Sequence, residues 1–153
     1  MGELLKSKNS IDIVALYIST PTGLKKKESI VVDKLGIEDD KFYGKSQNRA
    51  VLITSTYAYS LIRKNNIPIS FGELGENILV DFDIHKLKKD DTLHIGDVLL
   101  QITQPCTICD HLCKIDKKVP KLLKEDRGIF AKVIKAGTIA KSMKGKLTSH
   151  FAN

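Results

Sequence analysis

Apolar and polar residues alternate along most of this chain in short runs, the period of strands with one buried face. Ile11 to Ser19 reads as a first strand, Ser29 to Asp33 as a second and Ala50 to Thr54 as a third. Between the first two, Thr20 to Lys27 holds Pro21, Gly23 and a run of lysines and reads as a loop. Ser55 is placed to cap a helix, with Tyr57, Leu61 and Ile62 spaced along one face; Asn65-Asn66 and Pro68 end it. Asn77 to Val80, Thr92 to Ile95 and Val98 to Thr103 are further strands, the last two separated by Gly96-Asp97 as in a tight hairpin. Residues 107–125 read as short helical pieces broken at Pro120, and Ile129 to Lys135 with Thr138 to Met143 as a closing hairpin around Ala136-Gly137. Many short strands with few helices predict a mainly β fold, a β-barrel.

The length of 153 residues suits one domain with a substantial core. The 42% hydrophobic and 28% charged fractions are ordinary for a globular protein. No apolar run approaches the roughly 20 residues of a membrane span, and the N-terminal segment has no apolar signal core. The expectation is a cytoplasmic protein that uses no membrane.

Charge is distributed unevenly. Residues 1–113 hold 14 Lys or Arg against 15 Asp or Glu, whereas residues 114–153 hold 11 against 3, so the whole net charge of +7 follows position 113. Such a surplus reads as a solvated lysine-rich surface or as a field that draws in an anion. Nucleic acid is disfavoured by the 6% aromatic content and by the lack of a nucleic-acid-binding motif.

Cys106, Cys109 and Cys113 lie within eight positions. An odd, clustered set without an export signal points away from a disulfide framework, towards thiol or metal chemistry. Cys106 follows Pro105 and precedes the predicted helical pieces; a thiol near a helix N-terminus ionises more readily. A thiolate can carry sulfur as a persulfide, attack an electrophile or ligate a soft metal. With His111, the three cysteines would make a small zinc or iron site. A structural zinc site, however, normally has four ligands in two separated pairs, and His85, His94 and His150 are scattered. A Cys106–Cys109 redox pair, and Cys109 and Cys113 packed together on one helical face, are the other readings.

Four segments resemble the MOSC domain, named after the C-terminal part of molybdenum-cofactor sulfurases. Gly36 to Thr54 is similar to the family's Gly-x-x-Gly-Asp-Arg-His segment with its following arginine and apolar strand. Phe71 to Val80 matches its Gly-Glu-Asn signature, Leu93 to Cys109 its Ile-Gly hairpin leading to Pro-Cys, and Arg127 to Lys144 its Arg-Gly-x-x-Ala-x-Val strand. The resemblance spans residues 10–146, leaving 1–9 and 147–153 as terminal extensions. It implies a MOSC-type β-barrel with a few short helices, and a pocket for molybdenum cofactor (molybdopterin). In that pocket Cys106 carries sulfur or ligates molybdenum, Lys41, Arg49 and Arg127 hold anionic groups, and Glu76 and Asn77 shape the wall. The activities implied are sulfur transfer or reduction of N-hydroxylated compounds, with a sulfur donor, a molybdoenzyme or an electron-transfer protein as partner. A non-catalytic carrier docking through the basic C-terminal third is the alternative. The chain departs from the family where Asp39-Asp40-Lys41-Phe42 replaces Gly-Asp-Arg-His: the cation is kept and the imidazole is not.

Overall fold

A computed structural model describes residues 10–106, 114–124 and 127–149. Eleven strands are present among them: β1 (Ser10–Thr20), β2 (Gly23–Lys27), β3 (Ser29–Asp33), β4 (Gly36–Ile37), β5 (Val51–Ser55), β6 (Ile78–Asp81), β7 (Thr92–Ile95), β8 (Val98–Pro105), β9 (Ile129–Lys135), β10 (Gly137–Ala140) and β11 (Lys144–Thr148). Two helices accompany them, α1 (Thr56–Lys64) and α2 (Val119–Leu122). The main sheet runs β11-β7-β8-β9-β5-β6-β1-β2, and β11 also pairs with β1. That second pairing closes seven strands into a barrel, and β2 continues the sheet beside the far half of β1. A small sheet, β10-β3-β4, adds Ile30, Val32, Ile37 and Ile139 to the barrel core.

The first strand shows how the pattern specifies the wall. Ile11 and Ile13 face the barrel core, and so do Leu16 and Ile18, although the two pairs are out of step by one residue. A bulge between Ile13 and Ala15, opposite β6, supplies the missing step, because one inserted residue inverts every later side chain. Beyond it, Ala15 and Tyr17 turn outward and pack with Ala58, Tyr59 and Ile62 of α1, and with Val119 and Leu123, in a second core outside the barrel. Each fully buried aliphatic side chain in these two cores contributes about 1.5–3 kcal/mol.

Several predicted elements stand. Ser55 caps α1, its Oγ accepting from Tyr57 N at 3.0 Å, and the helix ends at Asn65 before Asn66, which has a positive φ of 62°. The Gly96-Asp97 hairpin joins β7 to β8 with Ile95 opposite Val98. Others are corrected. Thr20 to Lys27 is not a loop throughout, since Gly23–Lys27 pairs along β1; its lysines are mostly exposed and so carry no apolar alternation. The buried face of α1 is Ala58, Tyr59 and Ile62, with Tyr57 exposed. Pro120 opens α2 rather than breaking a helix, because a first-turn N–H has no intrahelical partner to lose. The closing hairpin does not form: β9 pairs with β8 and β5, and β10 pairs with β3. The strand after it, β11, reaches Thr148, and its Leu147 is buried in the barrel.

Candidate functional site

Asn77 sits where three segments meet, immediately before β6. Its backbone N donates to Leu52 O at 2.9 Å and its backbone O accepts from Tyr17 N at 2.8 Å. Its side chain repeats the splice: Oδ1 accepts from Leu52 N at 2.9 Å, while Nδ2 donates to Tyr17 O at 3.3 Å and to Asp40 Oδ1 at 3.4 Å. The side chain is buried, and both its ends are used to hold β5 against β1. Asp40 is the second knot. Its carboxylate accepts from Ser19 N at 2.6 Å and Phe42 N at 3.0 Å, so the loop carrying Lys41 and Phe42 is anchored to the end of β1.

These knots form one wall of a cavity of about 630 Å³. Strand β2 contributes Leu24, the 40–49 loop contributes Lys41, Phe42, Lys45 and Arg49, and Leu52, Leu74, Cys106 and Phe130 complete the apolar and thiol parts. Arg49 lies 5.8 Å above the Phe130 ring and Lys41 5.1 Å from the Phe42 ring, near enough for cation–π attraction. Thr103 fixes the short turn before Arg49, its hydroxyl donating to Asn48 O at 2.5 Å. Among the described residues, three cations therefore line a cavity whose one carboxylate, Asp40, is committed to backbone N–H groups and to Asn77 Nδ2. Lys41, Lys45 and Arg49 all lie outside the basic C-terminal third, whose part in this cavity among the described residues is Phe130.

Cys106 is placed by strand pairing. Pro105 at the end of β8 lies opposite Ile129 at the start of β9, and Cys106 N donates to Gly128 O at 2.9 Å. The residue is half-buried and borders the large cavity. It also borders a second cavity of about 430 Å³, lined by His85, Pro105, Lys124, Arg127 and Gly128 as well. Of the helical pieces expected over residues 107–125, the part that directly follows Cys106, residues 107–113 with Cys109, His111 and Cys113, lies outside the described residues. Among the described residues, no three His, Cys, Asp or Glu side chains gather as a metal-binding group.

The residues singled out from the sequence thus separate into three places. Lys41, Arg49, Asn77 and Cys106 share the large cavity. Arg127 belongs to the second cavity, where its Nη2 donates to Pro120 O at 3.1 Å. Glu76 lines neither cavity: it is fully buried and receives the Tyr59 hydroxyl. Burial raises its carboxyl above the ordinary value, an effect only partly opposed by the bonds from Tyr59 and Gly72. Asp40, Lys45 and Phe130 were not picked out from the sequence. For Lys45 the signal was present, four residues after Lys41 in the same loop, whereas Phe130 reads only as a strand residue.

A family model described as the MOSC domain matches residues 39–142. The chain belongs to the MOSC family. Its barrel is similar to the crystal structure of the YuaD protein from Bacillus subtilis, with a TM-score of 0.78 and 19% identity over 92% of this chain and 97% of that one. YiiM from Escherichia coli aligns with a TM-score of 0.71 and 18% identity, over 92% of this chain and 71% of YiiM. YiiM from Geobacillus stearothermophilus gives 0.72 and 17%, over 91% and 75%. At these identities the likeness is one of fold. No curated protein sequence matches the chain. As a MOSC domain it has a barrel whose Gly-Glu-Asn turn precedes β6 and whose Pro-Cys dipeptide ends β8, with Gly75, Asn77 and Cys106 on one cavity. Among the described residues, no helix is long and apolar enough to cross a membrane.

Proposed function

We propose that this MOSC domain binds molybdenum cofactor in the large cavity and uses Cys106 as its reactive thiol. The observation that carries this reading is that Cys106 borders the same cavity as Lys41, Lys45 and Arg49. A cavity of about 630 Å³ lies in the range of small-molecule sites. Its apolar faces at Leu52, Leu74 and Phe130 suit a flat ring system, and its cations suit a phosphate. Arg49 offers a planar donor fork and Lys41 and Lys45 point charges, so the residues fit a phosphorylated pterin.

Within this reading the chain's residues bind and orient. Asp40 and Asn77 hold the walls, Lys41, Lys45 and Arg49 take the anionic end, and Cys106 presents sulfur. The cofactor, when bound, would supply molybdenum redox chemistry. Cys106 would either ligate the metal or carry a persulfide, its thiolate taking the sulfane sulfur of a donor persulfide and releasing the donor's thiol. The first role suits a reductase of N-hydroxylated compounds fed by an electron-transfer protein, the second a protein that serves a molybdoenzyme.

Metal and pterin analysis of the purified protein tests the proposal. Molybdenum and pterin in near-equal amounts are expected, with both reduced by Lys45→Glu and Arg49→Glu. Loss of molybdenum alone in Cys106→Ala marks a ligand; intact cofactor with loss of persulfide labelling marks a carrier. Absence of pterin after expression in a cofactor-producing host, with no uptake of added cofactor, would overturn the reading.

A further inference from the structure

We infer that the second cavity is a small-anion site that brings an oxyanion of sulfate or thiosulfate size, or the like group of a larger molecule, to Cys106. Two observations set it apart from the large cavity. Among the described residues, the two linings share Cys106 and nothing else. Their cations also come from different parts of the chain: Lys41, Lys45 and Arg49 from the charge-balanced region, Lys124 and Arg127 from the basic third.

The lining has the chemistry of an anion cradle. Among the described residues, His85, Lys124 and Arg127 are its ionisable members besides the thiol, and none of the described lining residues is a carboxylate. Asp83 meets His85 at 3.0 Å, within the same turn. Arg127 is held in place by its bond to Pro120 O, so its planar fork is oriented before any ligand arrives. Gly128 brings bare backbone to the cavity, and its carbonyl is already bound by Cys106 N, which keeps that acceptor from repelling an anion. The volume of about 430 Å³ exceeds a tetrahedral oxyanion and leaves room for its hydration. The site stands independently of the cofactor reading: it would hold an anion beside the same thiol, whatever fills the large cavity.

Amide NMR of the ¹⁵N-labelled full chain tests this, with sulfate, thiosulfate and phosphate titrated separately against chloride at fixed ionic strength. Saturable shifts at the Cys106 and Gly128 amides are expected with at least one of these oxyanions. Lys124→Glu should weaken that binding by about fivefold or more, and Lys45→Glu should leave it within about twofold. Lys124 is exposed, and the spectrum itself reports whether the variant is folded. The inference is overturned by the absence of saturable shifts at these amides, by indifference to Lys124→Glu, or by an equal effect of Lys45→Glu. Molybdenum and pterin content is read separately, so failure here is distinct from failure of the cofactor proposal.

Discussion

The Tyr59 hydroxyl meets the Glu76 carboxylate at 2.7 Å from Oε2 and 2.8 Å from Oε1, and accepts from the N–H groups of Gly72 at 2.9 Å and Leu74 at 3.1 Å. One side chain of α1 thereby organises the loop whose Gly72, Leu74 and Gly75 line the large cavity. Both partners are fully buried. Burial and the neighbouring carboxylate raise the Tyr59 hydroxyl well above its ordinary value, so it remains a donor.

Tyr59→Phe keeps the ring and removes the hydroxyl. It leaves a buried carboxylate without its side-chain donor and two N–H groups without an acceptor in that hydroxyl. A loss of about 2–4 kcal/mol is expected, read by urea unfolding. A loss under about 0.5 kcal/mol would mean that water or a neighbour replaces the hydroxyl.

Glu76 makes stability depend on pH in a defined direction. Its carboxyl titrates above the ordinary 4.5 in the folded chain, so the fold binds the proton more tightly than the unfolded chain does. Its contribution is therefore fully present below 4.5 and is lost as pH rises through the raised value. In Glu76→Gln that slope disappears. The wild-type minus variant unfolding free energy should fall with rising pH above about 4.5; a difference that rises over this range would contradict the assignment.

Asn77→Ala should cost about 2–4 kcal/mol, since the side chain is buried and bonds Leu52, Tyr17 and Asp40. Hydrogen exchange should show the loss first at Leu52, whose N–H gives its bond to Asn77 Oδ1. Uniform loss of protection without an effect at Leu52 would refute the splice.

Gly128 has φ +121°, and a Cβ there would lie 3.0 Å from Ile53 O and 3.1 Å from Thr54 Cγ2. Gly128→Ala should cost about 2 kcal/mol or more and displace Cys106, which bonds its carbonyl. Gly44, at φ +78° with nothing within 4 Å, provides the comparison. Gly44→Ala meets backbone strain alone, so thermal unfolding should show it to be the milder change.

The elements were largely legible where burial is one-sided. β7, β8 and their hairpin follow from alternation and Gly96-Asp97, and Ser55 follows from cap chemistry. β2 was hidden because exposed lysines carry no alternation, and the mispairing of β9 with β10 arose because a glycine turn is compatible with either a hairpin or a change of sheet. Within the site, Lys41, Arg49, Asn77 and Cys106 were selected from the sequence and meet at one cavity. Arg127 and Glu76 were selected with them, yet one lines the neighbouring cavity and the other packs inward against Tyr59.

By itself, then, the sequence determined a barrel of short strands, one capped helix and membership in a family marked by Gly-Glu-Asn and Pro-Cys. These are properties of local periodicity, turn chemistry and residue order, which depend on neighbours along the chain. Only the tertiary structure decided that Cys106 borders two cavities, that the large one draws its cations from the charge-balanced region, and that Glu76 is a buried partner of Tyr59. Those outcomes depend on which strand ends are brought together across the closed sheet. The β8–β9 register and the β1 bulge set them through non-local hydrogen bonds that leave no periodic mark in the sequence.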